Sequence, residues 1–155
     1  MNTAVQARVD AIYICEKAGD WPRTVASVSA LTGQGLEGDR YSRGQGTWSH
    51  WPGDGRQLTL IEAAVVVRIE RDFGVSAPRL RRNLVVSGVS LNDLVGRDFS
   101  IGEVRLRGVR PCTPCAYLEQ LTAPGLAAAL LRCGGLRADI LVGGQLNVGD
   151  HVGGV

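Results

Sequence analysis

The segment from residue 98 to residue 107 most constrains the fold, because its side chains alternate in polarity on either side of Gly102. One set of positions is apolar and consists of Phe99, Ile101, Val104 and Leu106. The alternate positions are charged or polar, a pattern that predicts an antiparallel hairpin with one buried face. Shorter patterns predict further strands at residues 8–14, 25–31, 83–87, 136–142 and 148–152.

Glycine is the second constraint on the fold. It supplies 21 of the 155 residues, close to twice its average share of roughly 7%, and predicts many tight turns rather than a helical bundle. A chain of this length fits one domain, residues 1–155, which should bury about 70% of the surface that its unfolded chain exposes. About eight short strands with a few helices predict a mainly β domain of the α+β class. A closed or nearly closed mixed β-barrel would remove exposed strand edges, and a split sandwich is the alternative.

One long helix is predicted over residues 60–73. Thr59 and Glu62 have the spacing of a capping box at its start, and Gly74 stands where a C-terminal cap glycine belongs. A helical turn is predicted at residues 90–93, and a short helix at residues 124–132, where proline precedes and glycine follows.

Composition excludes several classes of function. The net charge is only +2, and no basic run is interleaved with aromatic residues, so nucleic acid is not an expected partner. No apolar stretch of about 18 residues and no leader pattern occur, so we expect a cytoplasmic protein that does not span a membrane. The four cysteines are then expected to be reduced thiols.

The segment Pro111-Cys112-Thr113-Pro114-Cys115 carries the clearest chemistry. A C-x-x-C pair is compatible with a redox dithiol, with half of a zinc site, or with one reactive cysteine beside a chance neighbour. The basic residues that precede it favour the third interpretation, because cations lower the pKa of a thiol. A buried structural cysteine in a turn is the simplest alternative.

Two further segments contain candidate anion-binding groups. Residues 33–55 form a glycine-rich stretch without periodicity, in which Asp39 and Arg40 either hold a ligand phosphate or form a salt bridge within the loop. Its G-x-G-x-x-G match is not followed by a helical pattern, so a dinucleotide site is not expected. Arg79, Arg81 and Arg82 precede a predicted strand and form either a surface cluster or a phosphate clamp.

Several stretches occur in a characteristic order and spacing. They are Gly35-x-x-Gly38-Asp39-Arg40, Leu58-Thr-Leu-Ile-Glu62, Arg81-x-Asn83-Leu-Val-Val-Ser-Gly88, Ile101-Gly102, Pro111-x-x-Pro114-Cys115 and Val148-Gly149-Asp150-x-Val152. Together they resemble the MOSC domain, named for the C-terminal part of molybdenum cofactor sulfurase. The resemblance extends from about Ala7 to Val152 and implies a mixed β-barrel with a few peripheral helices.

The resemblance also implies a cofactor and its ligands. In members that reduce N-hydroxylated compounds, one cysteine binds the molybdenum of a molybdopterin cofactor, and Cys115 matches it as both metal ligand and catalytic residue. Arg81 and Asn83 match residues that hold the pterin phosphate and nearby groups, and Arg40 matches the arginine of the family's Gly-Asp-Arg loop. A reductase of this kind would take a small-molecule substrate and a separate electron-donor protein.

The alternative function is sulfur transfer. Cys115 would then carry a persulfide received from a cysteine desulfurase and deliver it to a cofactor or a metal–sulfur centre. Pyridoxal phosphate belongs to the desulfurase domain of other family members and is only a family-level association here. A third possibility is cofactor binding without turnover.

Overall fold

The computed structural model describes residues 6–17, 20–43, 54–114 and 116–154, and these residues form mostly strands. The strands are β1 (Arg8–Ile14), β2 (Arg23–Val25), β3 (Ser27–Leu31), β4 (Gly35–Leu36), β5 (Leu58–Glu62), β6 (Leu84–Ser87), β7 (Asp98–Ile101), β8 (Val104–Pro111), β9 (Leu136–Val142), β10 (Gly144–Asn147) and β11 (Val152–Gly153). The α-helices are α1 (Ala63–Phe73), α2 (Ala116–Leu121) and α3 (Leu126–Ala129). Short 3-10 turns occupy Arg40–Arg43, Ala77–Leu80 and Leu91–Leu94.

The strands form two sheets. The larger is mixed and has the order β11-β7-β8-β9-β5-β6-β1-β2, in which only β5 and β6 run parallel, and the smaller has the order β10-β3-β4. The predicted mainly β class is therefore confirmed. No closed barrel is found among the described strands, since the order of the larger sheet has two ends.

A few backbone contacts nevertheless connect β1 with the segment before β11. An isolated antiparallel bridge pairs Arg8 with His151. The amide of Val9 donates to the carbonyl of Asp150 at 2.9 Å, and the amide of Val152 donates to the carbonyl of Ala7 at 2.8 Å. The contact between these two parts of the larger sheet is thus limited to a short stretch. Strand β11 spans only two residues and pairs as a strand with β7 alone.

Two hydrophobic clusters pack against the larger sheet. The first contains the four apolar hairpin residues named above, all fully buried, which confirms the predicted alternation. The second contains residues of all three α-helices. Leu60 and Leu84 belong to the first cluster, whereas their neighbours Ile61 and Val85 belong to the second. The centre of the sheet is therefore covered on both faces.

The predicted start of the long helix is wrong. Helix α1 begins at Ala63, and Glu62 is its N-cap residue without a side-chain cap hydrogen bond. Thr59 instead lies in β5, which pairs with β6 and β9. These pairings satisfy the local backbone, so tertiary contacts override the capping signature. The predicted end is confirmed, because Gly74 adopts φ 66° and its amide donates to the carbonyl of Glu70.

Smaller differences concern the turns and the C-terminal region. The strand predicted at residues 25–31 is divided between the end of β2 at Val25 and β3 at Ser27–Leu31. The helix predicted at residues 124–132 is reduced to Leu126–Ala129. Strand β10 was not predicted, and most of the strand predicted at residues 148–152 is a turn. In this C-terminal region, Gly144 and Gly149 take positive φ angles. In the described part of the chain, no helix is long and apolar enough to span a membrane.

Candidate functional site

Asn83 is the centre of a buried polar cluster. It precedes β6, and its side-chain Nδ2 donates to the carbonyl of Tyr13 at 3.1 Å. Its Oδ1 accepts hydrogen bonds from the amide of Thr59 at 3.0 Å and from the Thr59 hydroxyl at 3.2 Å. One amide side chain therefore links β1, β5 and the start of β6.

Asp39 and Arg40 lie against the end of β1 in the same cluster. The Oδ1 of Asp39, which is fully buried, accepts from the amide of Cys15 at 2.8 Å and lies 3.5 Å from Nη1 of Arg40. The amide of Arg40 donates to the carbonyl of Cys15 at 2.7 Å. Nδ2 of Asn83 approaches the same Asp39 oxygen at 3.5 Å. The ion pair within the loop, one of the two predicted arrangements, is therefore present.

Arg81 reaches the other side of Cys15. Its backbone is in the left-handed region, with φ 61°, although it is not glycine. Its Nη1 donates to the carbonyl of Asp20, and its Nη2 lies 3.7 Å from Sγ of Cys15. These described contacts are all made with the protein itself, so the predicted cofactor contact of Arg81 stays a prediction.

Arg82 connects the Asn83 cluster with the cysteine motif. Its side chain is buried, with Nε donating to the carbonyl of Gly134 at 2.8 Å and Nη1 donating to the carbonyl of Leu80 at 3.2 Å. A Cβ placed on Gly134 would collide with the carbonyl oxygen of Cys112 and would lie 3.5 Å from Cδ of Pro114. Arg82 thus binds the chain segment that packs directly on residues 112–114.

The remaining Nη2 of Arg82 is buried and has no hydrogen-bond partner among the described residues. A buried charged group without a full set of partners is costly. Such a guanidinium is a candidate for binding an anionic ligand, since it presents hydrogen-bond donors in a fixed planar arrangement.

The cysteine motif follows the end of β8. Cys112 is a buried free thiol whose amide donates to the carbonyl of Gly135 at 2.7 Å. Cys115 lies outside the described residues, so its predicted roles as metal ligand and catalytic residue stay predictions. Within the described ranges, no group of three or more His, Cys, Asp or Glu side chains is placed to hold a metal ion.

Three arginines lie beside the cysteine motif, namely Arg56, Arg110 and Arg137. Arg56 and Arg137 were not singled out from the sequence. Arg110 on β8 lies directly opposite Arg137 on β9. Burial lowers the pKa of the Arg110 guanidinium, and the charges of Arg137 and Arg56 lower it further, whereas the charges of Cys112 and Asp139 raise it. Arg56 and Arg137 were not predicted as site residues because nothing in the local sequence indicates the pairing of β8 with β9.

Comparison with known proteins identifies the family. A family model described as the MOSC domain matches residues 48–153. The chain belongs to the MOSC domain family. This confirms the resemblance noted in the sequence, whereas a comparison with curated protein sequences finds no match.

Several solved structures have a fold similar to that of this chain. The crystal structure of the YuaD protein from Bacillus subtilis matches with a TM-score of 0.75 at 19% identity, over 98% of this chain and 97% of that one. YiiM from Geobacillus stearothermophilus matches with a TM-score of 0.71 at 18% identity, over 95% and 74% of the two chains. YiiM from Escherichia coli matches with a TM-score of 0.68 at 20% identity, over 96% and 69%. At these identities the likeness shows the fold alone.

The MOSC motifs that are far apart in the sequence converge in the structure. Arg40 and Asn83 meet at Asp39, and Arg81 lies beside them at Cys15. The cysteine motif approaches this cluster through Arg82 and Gly134. Arg82 was predicted only as a member of the arginine cluster and not as a site residue, because three nearby arginines cannot be ranked without the direction of each side chain.

Proposed function

We propose that this MOSC domain binds a molybdopterin-type molybdenum cofactor and reduces N-hydroxylated small molecules with electrons from a separate donor protein. The structural observation that supports this proposal is the buried Nη2 of Arg82, which has no partner among the described residues, beside the segment that leads to Cys115. Membership of the MOSC family, which is associated with the molybdenum cofactor, supplies the second support.

The side chains at this site have the chemical groups that an anionic, metal-containing cofactor would need. A guanidinium binds phosphate by paired, charge-assisted hydrogen bonds, so Arg82 would hold an anionic group of the cofactor. The thiolate of Cys115 would be the metal ligand, because soft sulfur ligands suit such metals. Arg40, Arg81 and Asn83 would complete the cofactor site, and their buried contacts would also fix the backbone from which Arg82 extends.

The chemistry divides between the cofactor and the protein. Bound molybdenum would supply two-electron transfer. Reduction of an N-hydroxyl group to an amine consumes two electrons and two protons and releases water, and the electrons must come from the donor protein. The chain itself would bind and orient the cofactor through Cys115 and Arg82, and would exclude water from the buried side of the site.

Metal and pterin analysis of the purified protein tests this proposal. Protein from a host that makes the cofactor should contain about one molybdenum per chain. Cys115→Ala should lose the metal, whereas the matched variant Cys112→Ser should retain it, because Cys112 is assigned no ligand role. Molybdenum retained at the wild-type level in Cys115→Ala would contradict the ligand assignment.

The role of Arg82 has its own matched comparison. Arg82→Gln should weaken cofactor binding by at least roughly tenfold and so lower cofactor occupancy, because one charge-assisted interaction is worth about 1.5–3 kcal/mol. Arg105→Gln, which changes an exposed arginine elsewhere, should leave occupancy unchanged. If circular dichroism shows that both variants are folded and their cofactor occupancies are equal, Arg82 does not bind the cofactor.

The sulfur-carrier alternative gives a different result in the same preparations. If the protein contains no molybdenum and a cysteine desulfurase adds sulfur to Cys115, as detected by mass spectrometry, the reductase proposal is wrong and the protein is a sulfur carrier.

A further inference from the structure

A partly open cavity of about 290 Å³ lies between the end of β6 and the start of β7. It is lined by Gly88, Val89, Ser90, Asp93, Leu94 and Arg97. Sites for drug-sized ligands measure about 300–1,000 Å³, so this volume suits a smaller molecule. The lining residues do not include any residue assigned above to the molybdenum cofactor. The occupant of this cavity is therefore a separate question from the cofactor.

Close packing fixes both walls of the cavity. On one side, Gly88 has φ 76°, and a Cβ placed on it would lie 2.9 Å from the carbonyl oxygen of Gln6. On the other side, a Cβ placed on Gly108 would collide with the carbonyl oxygen of Leu94. The amide of Gly108 also donates to the carbonyl of Arg97 at 2.9 Å. The cavity is therefore preformed, so a ligand that binds in it does not have to order the backbone first.

Two opposite charges line the cavity without pairing. Within the described part of the chain, neither the Asp93 carboxylate nor the Arg97 guanidinium forms an ion pair or a hydrogen bond. Asp98, which directly follows Arg97, is instead paired with Arg107 at 2.8 Å. Both Asp93 and Arg97 are exposed, so a ligand can pair with them without breaking an existing contact.

Ser90 adds a neutral polar group to the lining. It is the N-cap residue of the 3-10 turn Leu91–Leu94, but its side chain makes no cap hydrogen bond. The amide of Asp93 donates to the backbone carbonyl of Ser90 at 3.2 Å instead. Val89 and Leu94 are the apolar residues of the lining. The cavity thus combines a cation, an anion, a hydroxyl group and apolar residues.

We propose that this cavity binds a small zwitterionic α-amino acid with an apolar side chain. The ligand carboxylate pairs with Arg97, because a guanidinium presents paired donors that match a carboxylate. The ligand ammonium group donates to Asp93, whose ionised carboxylate only accepts hydrogen bonds. The apolar side chain lies against Val89 and Leu94. A ligand with a single charge leaves the opposite charge of the cavity unpaired, so the cavity selects a zwitterion over a simple acid or amine.

Titration of the purified protein with L-leucine, followed by NMR of its backbone amides, tests this proposal. The amides of residues 88–97 should shift and saturate with a dissociation constant of about 1–10 mM. 4-Methylpentanoate, which lacks the ammonium group, and leucinamide, which lacks the carboxylate, should each bind roughly fivefold more weakly or worse. This measurement needs no cofactor, so its result is separate from that of the molybdenum analysis.

Two variants each remove one partner of the ligand. Arg97→Gln should weaken leucine binding roughly fivefold or more and should reduce the preference for leucine over leucinamide. Asp93→Asn should weaken leucine binding to a similar extent and should reduce the preference for leucine over 4-methylpentanoate. The control Arg105→Gln changes an exposed arginine of β8 outside the cavity, so it should bind leucine as the wild type does.

Reversal of one charge separates ligand recognition from a structural role. Arg97→Glu places two acidic residues at the cavity, so the cation leucinamide should bind this variant more tightly than leucine does. Circular dichroism should show that all variants are folded, because Asp93 and Arg97 are exposed. Absence of saturable leucine binding to the wild type up to about 50 mM, equal binding of the three ligands, or an unchanged preference in Arg97→Glu would each overturn the proposal.

Discussion

Asn83 links three segments of the chain because its side-chain amide forms hydrogen bonds with two backbone groups and one hydroxyl group. The carbonyl of Tyr13 and the amide and hydroxyl of Thr59 all bond to it inside the protein. An apolar side chain at this position would offer neither a donor nor an acceptor. Its structural role is therefore separable from any contact with a cofactor.

Replacing Asn83 with alanine should lower the free energy of unfolding of the metal-free protein by about 3 kcal/mol, because buried groups of Tyr13 and Thr59 lose their partners. Urea unfolding followed by circular dichroism measures this change. The control Asn92→Ala removes one exposed hydrogen bond to the carbonyl of Arg132 and should cost less than about 1 kcal/mol. Equal unfolding midpoints for the two variants would show that the Asn83 contacts contribute little.

Sequence patterns predict which residues lie close together, but they do not predict which individual side chains point into the protein. The arginines of residues 79–82 were predicted as either a surface cluster or an anion clamp, and Arg81 and Arg82 are both buried. The left-handed φ of Arg81 directs the two side chains to different partners, Cys15 and Gly134. A non-glycine residue in this conformation has no local sequence signature, so the choice between the two arginines required the structure.

Among the elements, β7 and β8 were predictable and β5 was not. The hairpin alternates because one face is buried and the other is exposed. Strand β5 is covered on both faces, so its residues are apolar without alternation and merge with the helix that follows. Periodicity alone cannot separate such a strand from a buried helical turn.

Packing between elements is very close where β8 passes the turn Leu91–Leu94. A Cβ on Gly108 would collide with the carbonyl oxygen of Leu94, and the Gly108 amide and carbonyl bond to Arg97 and Gly96. This position requires glycine because of the contact, not because of its φ angle.

Gly108→Ala should therefore destabilise the protein by about 3 kcal/mol or more, since the backbone of the turn must move away from β8. The matched control is Gly74→Ala at the end of α1, where a Cβ meets nothing within 4 Å and only the left-handed φ is unfavourable. That variant should cost about 1–2 kcal/mol. Chemical denaturation of both variants measures the difference, and a smaller cost for Gly108→Ala than for Gly74→Ala would contradict the packing argument.

For the whole molecule, the sequence predicts the class of fold but not its long-range pairing. Short alternating segments and glycine-rich turns are local properties, and they correctly predict a mainly β domain. The contact between Arg82 and Gly134 spans 52 positions, and the Arg110–Arg137 pair depends on the register of β8 against β9. Register follows from the complete core, so no local pattern contains it.

Among the described residues, a very long-range link joins β1 to the segment before β11. Through the hydrogen bonds of Val9 with Asp150 and of Val152 with Ala7, the segment that pairs with β7 also contacts β1. Both valines are buried, and both lie in the larger hydrophobic cluster. Opening this link therefore exposes core surface, unlike separation of β2, which lies at the end of the sheet and has mainly exposed residues.

Native-state hydrogen exchange should consequently show the amides of Val9 and Val152 opening with a free energy close to that of global unfolding, and the amides of β2 opening at much lower free energy. Measurements at increasing, sub-denaturing urea concentrations distinguish the two kinds of opening. The two valine amides should show the denaturant dependence of global unfolding, whereas β2 should show almost none, because local fraying exposes little surface. If Val152 instead exchanges as readily as β2, the C-terminal segment opens independently, and the contacts with β1 do not make the two ends of the chain one cooperative unit.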